Sequence, residues 1–158
     1  MLSHPDVFLT CHRKLSLEDM PSSTEIKPIN SARRIYPASL LLSNCISTGT
    51  VMLRAPIALS FSDSIRFSED YHLWLRLCLD GHRMYYLNAY LASSSKRPFG
   101  DYGLSSQLTN MYYGELRSYW DLFRSHRINL IYFFGVILFS SIRYLRRLFL
   151  CSFQSLGN

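Results

Sequence analysis

The stretch from Ser68 to Gly81 constrains this chain most. Tyr71, Trp74, Leu75, Cys78 and Leu79 recur at i, i+3, i+4, i+7 and i+8, which is one face of a helix. Ser68 is a good N-cap, Glu69 and Asp70 place acid in the first turn, and Gly81 suits the position after the last turn. The spacing predicts a helix over 69–80. Strand signals lie on both sides of it: Asp6–Cys11 near the start, Thr50–Leu53 ahead of Pro56, Arg83–Leu87 after Gly81, and a short piece at Tyr90–Ala92. Strands interleaved with a helix read as an α/β chain. Residues 12–38 mix charge, Ser and Pro and read as loop, with room for one short strand.

A second helix is predicted over about 106–125. Leu108, Met111, Tyr112, Leu116, Tyr119, Trp120 and Phe123 form its apolar side, and Gly114 is its weak point. Between the two helices, Ser93–Ser106 has the Gly, Pro and Ser density of irregular backbone. The apolar run Ile128–Ile142 is 15 residues, shorter than the roughly 20 needed to span a bilayer. A basic amphipathic piece, RYLRRLFLCSF, follows it. No internal repeat is present.

Composition sharpens this. Hydrophobic residues are 48% and charged residues 18% of 158, so the chain has ample material for a core and is not a disordered or collagen-like sequence. The net charge of +6 is concentrated late, since the last 44 residues carry six Arg against Glu115 and Asp121. Such an excess suggests a phosphate-bearing partner. Cys11, Cys45, Cys78 and Cys151 form no C-x-x-C pair, which argues against a disulfide staple or a zinc site and for a reducing compartment. The first 20 residues have charge and no apolar run, so no secretory signal is expected. The five histidines lack metal-ligand spacing and read as surface or half-buried. G-x-G-x-x-G, Walker, H-E-x-x-H and G-x-S-x-G motifs are all absent.

The pair Glu69-Asp70 has two readings. Helix starts favour carboxylates through their N–H groups and dipole, whatever the protein does. The functional reading is a general base at a helix start beside a pocket, taking a proton from a hydroxyl substrate.

Four segments carry a resemblance. S-E-D-Y-H-L-W-L-R-L (68–77) resembles the E-D segment of family 2 glycosyltransferases of GT-A fold, and N-C-I-S-T-G-T-V-M-L-R (44–54) resembles that family's N-x-I-x-T-S-T-V-M-x-R strand. S-K-R-P-F-G-D-Y-G-L-S (95–105) and M-Y-Y-G-E-L (111–116) resemble a loop and a helix of a bacterial subgroup. The matches are in order and cover residues 44–116.

The resemblance implies an incomplete GT-A, nucleotide-diphospho-sugar transferase-like domain over 1–127, with an apolar and basic helical tail over 128–158. It implies inverting transfer of a sugar from a nucleotide-sugar donor to a lipid-linked or polysaccharide acceptor, in bacterial surface-glycan (for instance lipopolysaccharide) biosynthesis. Asp70 would be the catalytic base and Glu69 its neighbour, orienting acceptor or base. Trp74 would line the acceptor site or pack in the core. Thr48 and Thr50 would approach substrate hydroxyls or simply favour a strand, and Lys96 and Arg97 would meet donor phosphates or form a solvated loop charge. The complete family enzyme uses a divalent cation, Mg or Mn, held by a D-x-D; no D-x-D occurs in these 158 residues.

The chain therefore looks like the acceptor-side half, expected to be poorly stable and inactive alone, with open strand edges. The Arg-flanked segment 124–149 is expected at an anionic membrane surface, which would place the protein in the cytoplasm at the inner face of the plasma membrane. The alternative is a non-catalytic, membrane-associated remnant or interaction module. A nucleic-acid partner is not expected, because basic residues outside the tail are nearly balanced by acids and no RNA-binding motif is present.

Overall fold

Strand β1 (Val7–Ser16) organises the sheet. Val7, Phe8, Leu9, Thr10 and Cys11 are all buried, as a strand covered on both faces requires. The computed structural model describes residues 4–16, 31–54, 60–62, 65–94 and 104–156. Within these, β2 (Ala32–Ile35), β3 (Met52–Leu53) and β4 (Arg83–Ser94) join β1 in a mixed four-stranded sheet of order β2-β4-β1-β3. β1 runs parallel to β4 and antiparallel to β3, and β2 is antiparallel to β4. The chain is thus mixed α/β.

Two compact units divide it. The first holds residues 1–60 and 77–100, the second 61–76 and 101–158.

In the first unit the strands run further than local composition suggests. β1 continues past Cys11 through the charged residues His12, Arg13 and Lys14, because its ladder with β4 continues to Ser94. The pieces at Arg83–Leu87 and Tyr90–Ala92 are one strand for the same reason. Conversely, Thr48–Thr50 is a short 3-10 turn and leaves only Met52–Leu53 to pair with β1. Arg54 pins this corner: its backbone N–H donates to the Phe8 carbonyl, and its guanidinium to the carbonyls of Val7 and His4. A helix not anticipated, α1 (Pro37–Leu42), buries Leu40 and Leu41. Pro37 at its first position, where no N–H is needed, was the available signal.

Helix α2 (Glu69–Leu79) matches its prediction closely. It ends in a Schellman turn, with Gly81 N–H donating to the Cys78 carbonyl and His82 N–H to that of Leu77. Gly81 sits at φ +91°, where a side chain would strain the backbone. Burial extends beyond the expected face, because His72, Leu73 and Leu77 are also interior.

The second unit is dominated by an antiparallel helical hairpin of α3 (Leu104–Arg124) and α4 (Leu130–Leu156). α3 closes with another Schellman turn, His126 taking the left-handed position at φ 55°. Asn129 then caps α4, its Oδ1 accepting the Tyr132 N–H at 2.9 Å. The helices are sewn together by polar pairs: Thr109 with Tyr144, Tyr112 with Ser141, and Glu115 with Ser140 and Arg143. Tyr112 stacks on Tyr144 with centroids 4.4 Å apart, and Phe123 stacks on Phe133. The buried line of α3 is Leu108, Ser118, Tyr119 and Leu122; Met111 and Trp120, expected on the apolar side, are about half exposed.

The apolar run and the basic piece are one 27-residue helix, about 40 Å long at 1.5 Å per residue. Length is therefore not what limits it as a membrane span; Arg143, Arg146 and Arg147 interrupt its apolar stretch. No helix among the described residues is long and apolar enough to cross a membrane.

Candidate functional site

The approach to α2 sets the position of Asp70. Phe67 and Ser68 both take left-handed backbone conformations, at φ 66° and 58°. Two such non-glycine residues in succession are strained and need surrounding structure to hold them. That support comes from α3: the Phe67 carbonyl lies against Gly114, where any side chain would overlap it. Gly114 is thus a docking point for backbone, which is a different role from the weak helical position its composition suggests. Ser68 starts the helix through its carbonyl, which accepts the His72 N–H at 3.0 Å. Its hydroxyl does not cap the helix as expected but donates to the Met111 carbonyl at 3.4 Å.

A first-turn N–H is met instead by Asp70. Asp70 is half-buried, and its Oδ1 accepts the Tyr71 backbone N–H at 2.7 Å. Glu69 is exposed beside it. Trp74, one turn further, is buried at 2% exposure, and its indole N–H meets no acceptor among the described residues.

Behind Asp70 the second unit holds one buried polar pair and one that joins a buried histidine to a half-exposed carboxylate. Tyr71 and Tyr119 share a hydroxyl–hydroxyl bond of 3.2 Å, their rings edge to face. Burial pushes both phenols up, Tyr119 to about 12 and Tyr71 further, so neither ionises near neutrality. His72 is 1% exposed, and its Nε2 bonds Asp121 Oδ2 at 2.9 Å. Desolvation lowers the His72 pKa, outweighing the pull of Asp121, and Arg76 and Arg127 push the same way. This corrects the reading of His72 as a surface or half-buried histidine. Asp121 lies 49 residues away, so no local pattern could have revealed the pair.

Thr48 belongs to the first unit, exposed in the turn that leads to β3. Thr50 is buried, and its hydroxyl donates to the Ser47 carbonyl at 2.8 Å. The structure therefore gathers Glu69, Asp70 and Trp74 on one helix and carries Thr48 on a different unit. Lys96 and Arg97 lie outside the described residues.

The other chemistry-bearing groups are quiet. The four cysteines are free thiols. Burial raises Cys11 to about 12 and Cys78 to about 11, leaving both protonated and poorly nucleophilic. The described residues do not fit the divalent cation that the resemblance implies: no three His, Cys, Asp or Glu side chains among them could hold a metal ion.

No protein-family model, curated protein or solved structure matches this chain.

Proposed function

We propose that this chain is the acceptor-side part of an inverting, family 2-like glycosyltransferase of GT-A type, acting in bacterial surface-glycan biosynthesis. Asp70 is the base in this reading. It takes the proton from an acceptor hydroxyl as that oxygen attacks the anomeric carbon of a nucleotide-sugar donor, and the nucleoside diphosphate leaves with the electron pair of the broken bond. Glu69 orients the acceptor. The observation that carries the reading is the setting of Asp70, a half-buried carboxylate held in the first turn of α2 by the Tyr71 N–H. The parallel pairing of β1 with β4, the strand that follows α2, adds support as the arrangement an α/β transferase would use. The D-x-D that would neutralise the leaving diphosphate is not in these 158 residues, so the chain by itself is expected to be inactive.

The test is Asp70→Asn in a chain joined to a donor-binding half, assayed for sugar transfer to a lipid-linked acceptor. Loss of transfer with unchanged circular dichroism is the expected result. Retained transfer would remove Asp70 from the role and with it the reading.

A second reading, a membrane-associated module without catalysis, is favoured by α4. Its outer face presents Ile131, Phe134, Leu138, Ile142, Leu145 and Phe149, each more than half exposed. Arg146 borders this stripe, and it, Arg124 and Arg147 are exposed, whereas Arg143 is committed to Glu115 at 2.6 Å. An apolar stripe on a helix with exposed arginines suits the interface of an anionic leaflet. Binding to anionic vesicles without any nucleotide-sugar affinity would favour this reading over the first.

A further inference from the structure

The first unit carries an open cleft of about 490 Å³, lined by Arg13, Ser31, Arg33, Cys45, Tyr86 and Asn88. We propose that this cleft binds a small phosphorylated organic molecule, whose phosphate is gripped by Arg13 and Arg33. The proposal does not depend on Asp70, which lies in the other unit.

Three adjacent strands build the cleft. Arg13 comes from β1, Tyr86 and Asn88 from β4, and Arg33 from β2, where it stands directly opposite Tyr86. The Asn88 N–H donates to the Ser31 carbonyl and closes the β2 end. Two guanidinium groups thus face one opening, and no carboxylate lines it among the described residues. Two guanidinium groups facing one opening favour an anion there.

Both guanidiniums are oriented. That of Arg13 lies over the Tyr90 ring, 5.0 Å from its centroid, and donates to Asn88 Oδ1 at 3.4 Å. That of Arg33 lies over the Tyr86 ring at 5.9 Å. These contacts hold both groups at the opening, and the guanidinium N–H groups not used by Asn88 match the spacing of phosphate oxygens. The strand itself is deformed at this point: the β1–β4 register shifts on both sides of Arg13. Such irregularities re-aim a side chain and are enriched beside binding sites.

The remaining lining selects a polar molecule over a bare anion. The amide of Asn88 and the hydroxyls of Ser31 and Tyr86 offer donors and acceptors suited to hydroxyl or amide groups. The volume is in the range of sites for small organic ligands. Cys45 supplies no covalent chemistry, because burial raises its thiol and keeps it protonated.

The experiment is calorimetric titration of purified 1–158 with inorganic pyrophosphate at low ionic strength. Saturable binding to one site is expected. It should weaken about tenfold in Arg13→Gln and in Arg33→Gln, the size of one lost charge-assisted bond. Arg33→Lys, which keeps the charge and the fold but loses the fork, should weaken it less than Arg33→Gln. Arg117→Gln, an equal charge change on α3, should leave it unchanged. Absence of saturable binding, or equal weakening by Arg33→Gln and Arg117→Gln, overturns the proposal. Competition with vesicles containing phosphatidic acid separates the sources. Displacement of bound pyrophosphate assigns the site to a lipid phosphate headgroup, and failure to displace it assigns the site to a soluble phosphate ester.

Discussion

Phe67 lays its backbone carbonyl against Gly114 of α3, so closely that a Cβ on residue 114 would overlap the oxygen. This contact holds the left-handed pair Phe67–Ser68 and so fixes where α2 begins and where Asp70 stands.

The consequence for substitution is a reversed sign. Gly→Ala inside a helix ordinarily stabilises by up to about 1 kcal/mol. At position 114 the obstacle is backbone, which cannot rotate away, so Gly114→Ala should destabilise by about 1–3 kcal/mol, as overpacking does. Urea unfolding of the two proteins measures this; a more stable alanine variant would show that the Phe67 carbonyl moves freely.

His72 sets a pH dependence. Its folded pKa lies below the usual histidine value because burial disfavours the charged ring. The unfolded chain therefore binds the proton more readily, and stability rises with pH across the window below the unfolded value of about 6.5. Above that value the contribution is complete; it is lost as the pH falls toward the folded pKa. Unfolding free energies at pH 5.5 and 7.5 should differ more in the wild type than in His72→Gln. An equal difference in both would assign the slope to other groups.

Glu115 joins α3 to α4 through Arg143 at 2.6 Å and Ser140 at 2.7 Å, with both charged side chains mostly buried. Glu115→Ala leaves a guanidinium in the hairpin without its carboxylate and should cost about 3 kcal/mol. The double change Glu115→Leu with Arg143→Met removes both charges and should cost clearly less. Thermal melts of the three proteins decide it, and equal losses in single and double variants would refute the buried-pair account.

The outer face of α4 predicts lipid binding that is separable from folding. Phe134 and Leu138 are 60% and 63% exposed, so Phe134→Ser with Leu138→Ser should leave the melting temperature nearly unchanged. Affinity for vesicles rich in phosphatidylserine should fall, at about 2 kcal/mol for each side chain that enters the interface fully. Co-sedimentation with vesicles reads this; unchanged binding would place the contact elsewhere.

Elements whose signals are local are legible along the chain. Tyr71, Trp74, Leu75 and Cys78 repeat at helical spacing, Glu69 and Asp70 open the helix and Gly81 closes it, and all of this is written within fourteen residues. The same holds for α3 and for the strand at Arg83. Tertiary structure decided whatever depends on partners distant in the chain. The extension of β1 through His12, Arg13 and Lys14 needs β4, whose pairing residues lie more than seventy positions later. The pairing of His72 needs Asp121, the role of Gly114 needs Phe67, and the ion pair of Arg143 on α4 needs Glu115 on α3. The cleft between Arg13 and Arg33 belongs to this second group, since three strands must align before two exposed arginines become one site. Periodicity records which face of an element is apolar; it does not record what lies opposite, and opposition is what turns these side chains into pairs and sites.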